Sequence, residues 1–70
     1  MQNPPRFVAD AMLGSLARKL RIFGFDTLYF KEGDDTALER LARKEGRIII
    51  TSDRLLSRDA ERLGLRSVLV

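Results

Sequence analysis

The sequence contains no cysteine and no histidine. Without cysteine there is no disulfide staple and no thiol nucleophile. With histidine missing too, zinc ribbons, zinc fingers and histidine-based triads are excluded. Any chemistry must come from carboxylates, hydroxyls, lysines or arginines. No apolar run approaches the roughly 20 residues of a membrane span, and the opening MQNPPR has no apolar signal core. The expectation is a soluble cytoplasmic protein with no membrane partner. Internal repeats, linkers and low-complexity tracts are absent as well.

What is present suits one small domain. Seventy residues, 44% hydrophobic and 33% charged, have the balance of a globular chain rather than a disordered one. The expected unit is a single domain over 1–70, with 1–5 a flexible lead-in. A chain this short buries only about 60% of the surface its unfolded state exposes, so a homo-oligomer or a protein partner is compatible with its size. Thirteen Lys+Arg against ten Asp+Glu give a net charge of +3. That balance permits a polyanion such as nucleic acid without requiring one.

The apolar period changes along the chain. Residues 6–9, RFVA, read as a strand. Residues 11–23, AMLGSLARKLRIF, read as a helix with Leu13, Leu16, Ala17, Leu20 and Phe23 at three- and four-residue steps. TLYF at 27–30 reads as a second strand. A second helix is expected over 36–45, capped by Asp34 or Asp35 and stopped by Gly46. RIIIT at 47–51 is too uniformly apolar for a half-exposed strand. A third helix over 54–63 and a strand at 66–70 follow. The order is βαβαβαβ, which implies parallel strands joined by right-handed helical crossovers. The expected fold is α/β, a three-layer Rossmann-like domain with a four-stranded parallel sheet in the order 2-1-3-4.

In such sheets ligands bind outside the carboxyl ends of the strands, at the switch point. Asp10 ends the first strand, Asp53 follows the third in IIITSD, and Asp34 and Asp35 open the second helix on that same edge. Four carboxylates from three separate segments would meet there. Clustered carboxylates raise one another's pKa unless a cation sits among them, and Mg²⁺ or Mn²⁺ suits an all-oxygen site. The competing explanation is plain helix capping, which these residue types strongly favour. Thr51 and Ser52 are candidates to orient a carboxylate or to bind a phosphate. Arg54 and Arg58, which start the third helix, are candidate phosphate contacts. Asp26 belongs to the opposite edge, Asp59 and Glu61 read as surface charges, and Glu39 as an i,i+4 partner of Arg43. Gly14, one turn after Asp10, suggests a close approach or a tight packing contact.

FVADAMLGSLARKLRIFGFDTLYF and GDDTALERLARKEGRIIITSDRLL together resemble the PIN-like ribonuclease domain named for the C-terminal part of Mut-seven exonucleases. The resemblance covers about residues 6–57. It implies a PIN-like fold and, for active members, metal-dependent cleavage of RNA with Mg²⁺ or Mn²⁺; the expected type is an endonuclease. Asp10, Asp35 and Asp53 match the family's acids, Asp34 is a neighbour able to substitute, and Thr51 matches the hydroxyl residue of the acidic turn. The family usually continues into a cysteine-containing zinc-ribbon segment, and this sequence has none, nor the fifth strand common in PIN folds. It therefore reads as a short or truncated member. The alternative function is a non-catalytic module that binds RNA or a protein partner.

Overall fold

The first strand, β1 (Arg6–Ala9), runs directly into Asp10 and a single 3₁₀ turn, Ala11–Leu13, before helix α1 (Gly14–Ile22) begins. The structure is a computed structural model that describes residues 4–31 and 33–70. Part of the expected lead-in, residues 1–3, lies outside the described residues. The helix expected from residue 11 is thus split in two. The reason is local: the Asp10 carboxylate accepts from the Met12 N–H at 3.0 Å, and the Leu13 N–H closes a tight turn onto the Asp10 carbonyl at 3.0 Å. Gly14 settles as a packing position. A Cβ built there would stand 3.2 Å from the Tyr29 ring, whose hydroxyl donates to the Ala11 carbonyl at 2.6 Å.

The remaining elements are β2 (Asp26–Tyr29), α2 (Asp35–Glu45), β3 (Ile48–Thr51), α3 (Arg54–Arg62) and β4 (Ser67–Leu69). Helix α2 ends at Gly46, whose φ of 65° gives the left-handed turn that glycine tolerates best. The four strands form one parallel sheet in the order β2-β1-β3-β4. Strand β2 starts one residue earlier than the sequence pattern suggests, because Asp26 pairs with Arg6 in register.

Alternate residues of the central strands face opposite sides of the sheet. Val8 and Ile49 pack with Leu38, Ala42, Leu56 and Ala60 of α2 and α3. Ala9 and Ile50 pack with Ala17 of α1, supported by Phe7, Leu16, Leu20 and Tyr29. The uniform IIIT run is accounted for by this arrangement: β3 is central and all four of its residues are buried. No helix among the described residues is long and apolar enough to cross a membrane.

The amino-terminal edge of the sheet is held by Arg47, which is 9% exposed. Its guanidinium donates to the Phe7 carbonyl at 3.0 Å, to the Asp26 carboxylate at 2.9 Å and to Glu45 at 2.7 Å. Arg6 adds a bond to Asp26 at 3.1 Å. Asp26 therefore belongs to the edge opposite the other acids, as its position before a strand implies.

Candidate functional site

At the carboxyl edge, the ends of β1 and β3 are joined through one hydroxyl. Thr51 is fully buried. Its Oγ1 donates to Asp10 Oδ2 and accepts from the Asp53 N–H at 3.0 Å. Of the two roles open to it from sequence, a direct phosphate contact is unavailable to a residue with no exposed surface. Thr51 instead fixes the loop of Asp10 to the loop of Asp53. Ser52 is exposed and takes no part in this bridge, but it lines the adjacent cavity.

Three of the acids also cap a helix or turn. Asp10 Oδ1 accepts from Met12, Asp34 Oδ1 from Ala37 at 2.9 Å, and Asp53 Oδ1 from Leu55 at 2.9 Å and Leu56 at 3.3 Å. Capping is therefore real at all three, and it orients the carboxylates. Asp10, Asp34, Asp35 and Asp53 line one cavity of about 230 Å³, with Lys31 the one cation on its wall among the described residues. Asp35 shows the electrostatic consequence. Its carboxyl is pushed up by burial and then by the negative charges of Asp53, Asp10 and Asp34. The donors are all oxygens and crowd like charge, which fits a hard divalent cation. The side chains themselves are not drawn together into a ligand set: among the described residues no three acids are arranged to hold a metal ion.

Arg54 and Arg58 lie exposed on α3 and make no ion pair among the described residues. Arg58 borders a second cavity of about 440 Å³, which shares Asp35 and Leu56 with the first.

Two expectations are overturned beside this cavity. Glu39 does not pair with Arg43, whose guanidinium donates instead to the Leu63 carbonyl at 2.6 Å. Glu39 is 7% exposed, and its Oε2 has no hydrogen-bond partner among the described residues. Burial and the Asp59 carboxyl push its pKa up to about 7, while Asp59, bonded by Glu39 and Arg62, is lowered. Asp59 is accordingly no simple surface charge: it joins α3 to α2. The sequence signal for this pair was faint. Glu39 borders the Leu38–Ala42 stripe, and only the packing of α3 on α2 puts Asp59 opposite it.

The sign of the pH dependence follows from the raised pKa. The folded state holds the Glu39 proton more tightly than the unfolded state does, so stability falls as pH rises from about 4.5 to about 7. Glu39→Gln removes the charge and keeps a donor for Asp59. The variant is expected to be more stable than the parent by about 2 kcal/mol at pH 8 and to lose this limb of the profile, as measured by urea melts across pH. A parent profile flat over this range would contradict the raised Glu39 pKa.

A family profile described as the Mut7-C RNAse domain matches residues 5–69. The human protein described as exonuclease mut-7 homolog is 48% identical over 48 residues, 67% of this chain. The matched stretch spans 6% of that protein's length. No solved structure matches.

Proposed function

The chain belongs to the Mut7-C RNAse domain family, and on that premise we propose that it cleaves RNA phosphodiester bonds at the carboxyl edge of its sheet with the help of Mg²⁺ or Mn²⁺. The observation that carries this reading is the cavity where Asp10, Asp34, Asp35 and Asp53 converge from three segments of the chain.

The chain's own residues have distinct tasks. Asp10, Asp35 and Asp53 would hold the cation, with Asp34 beside them. When bound, Mg²⁺ or Mn²⁺ would polarise a phosphoryl oxygen and activate water. Thr51 keeps Asp10 and Asp53 at a fixed separation through its donated and accepted hydrogen bonds. Asp35, whose carboxyl is pushed up by burial and by its acidic neighbours, is the group whose charge a bound cation would relieve most. Lys31 and Arg58, on the walls of the two cavities, would bind substrate phosphates, and the start of α3 would add its positive dipole end.

The test is incubation of labelled single-stranded RNA with Mn²⁺ or Mg²⁺. Products that form with the cation and vanish on chelation support the reading. No cleavage with either cation would overturn it. A circular RNA substrate extends the test to internal cleavage, which the endonuclease reading requires.

One observation favours a second reading. Three of the four acids already serve as caps, and none of the four belongs to a closed ligand set. A non-catalytic module that binds RNA or a protein partner needs nothing more from them. It predicts RNA binding, if any, that is indifferent to Mn²⁺ and to loss of a single carboxylate.

A further inference from the structure

Three observations converge on the cavity between the start of α2 and the body of α3. First, at about 440 Å³ it lies in the size range of small-ligand sites, and it shares walls with the acid cavity through Asp35 and Leu56. Second, Leu55 stands on its wall with 74% of its surface exposed, one residue before the buried Leu56. The helix therefore presents an uncovered apolar side chain directly beside a charged site. Third, its cations differ in kind. Arg62 is held by Asp59, which is bonded in turn by Glu39, whereas Arg58 has no ion-pair partner among the described residues. One guanidinium is anchored by the fold and the other is available.

An apolar side chain beside guanidinium planes is a surface on which a nucleobase stacks, and an available arginine beside it takes a phosphate. We propose that this cavity is the subsite for the nucleotide next to the phosphodiester at the acid cavity, with its base against Leu55 and Arg62 and its phosphate on Arg58. The RNA strand thus leaves the acids across α3. The basic residues of α1, Arg18 and Lys19, belong to the opposite face of the sheet, where α1 packs on Ala9 and Ile50. They take no part in this path. The proposal rests on the reading of the acid cavity as an RNA-cleaving site and names where the substrate lies.

The probe is a short fluorescein-labelled oligouridylate, followed by anisotropy without divalent cation and compared with the same chain carrying abasic sites. Leu55 is exposed, so Leu55→Ala leaves the fold in place. It is expected to weaken binding of the intact oligomer by about five- to tenfold and to leave the abasic chain within twofold of the parent protein. Leu55→Tyr should restore the intact oligomer. Arg58→Ala should weaken both chains alike and lower the salt slope by about one. Arg18→Ala with Lys19→Ala should change neither. In the cleavage assay, Leu55→Ala should raise KM and spare kcat. Cleavage by the parent with a silent Leu55→Ala, or with losses confined to the α1 variant, would overturn the subsite alone. Absence of both binding and cleavage in the parent would overturn the RNA reading and the subsite with it.

Discussion

Asp10→Asn and Asp53→Asn are each expected to lower Mn²⁺-dependent RNA cleavage by on the order of a hundredfold or more while the fold survives. The fold survives because asparagine caps nearly as well as aspartate. At both positions the capping oxygen is Oδ1, which the amide retains: it accepts from Met12 at one site and from Leu55 and Leu56 at the other. Each variant loses a negative charge in the cavity, and Asp10→Asn also puts an NH2 where Oδ2 accepts from Thr51, so the Thr51 hydroxyl must turn from donor to acceptor there. Thr51→Val extends the test. It preserves the shape and burial of the side chain but removes the bond to Asp10 and the acceptor for the Asp53 N–H. Partners that orient a site at one remove typically contribute ten- to a hundredfold, and that loss is expected in kcat with circular dichroism unchanged. Full activity in Asp10→Asn or Asp53→Asn would remove that residue from the site.

The largest expected effect on stability lies at the other edge. Arg47→Ala should destabilise the domain by about 3 kcal/mol, a large share of what so small a domain can possess. The guanidinium is buried and donates to the Phe7 and Asp26 carbonyls as well as to two carboxylates. Its removal strands backbone acceptors inside the structure. Asp26 adds a signature in acid. Its carboxyl is held below the usual range, first by Arg47 and then by Arg6. The folded pKa is depressed, so this contribution is present above the unfolded value of 3.8 and is lost as pH falls through the lower folded value. The alanine variant should therefore show a weaker acid limb as well as a lower midpoint in urea. Arg47→Ala with parental stability would show that the clamp is ornamental.

The sheet was legible because each of its strands carries a local signal that agrees with its place. IIIT is apolar on both faces and is central, while TLYF and SVLV are shorter or mixed and lie at the edges. The convergence of Asp10, Asp34, Asp35 and Asp53 followed from topology alone, since parallel strands with helical crossovers bring their carboxyl ends to one side. The turn after Asp10 was not legible, because the pattern Leu13, Leu16, Ala17, Leu20 is the same whether its first turn is 3₁₀ or α. The role of Thr51 was only half visible: a hydroxyl at a strand end reads equally as a ligand contact or a bridge until its burial is known. Glu39 was misread because i,i+4 spacing describes an isolated helix. In the fold the Glu39 carboxyl is buried and interacts with Asp59 of α3, while Arg43 stays exposed and reaches the Leu63 carbonyl. Arg47 gave a similar lesson, since nothing local marks an arginine before three isoleucines as a buried clamp.

All of the functional account turns on whether the four aspartates accept a cation. The direct measurement is the thermal midpoint of the domain during titration with Mn²⁺, for the parent and for Asp10→Asn. A cation that binds only the folded state must raise the midpoint, by about 15 °C once it stands on the order of a hundredfold above its dissociation constant. The account predicts that rise in the parent and its loss in Asp10→Asn. A parent midpoint that does not move at millimolar Mn²⁺ would contradict it and leave Asp10, Asp34 and Asp53 as caps.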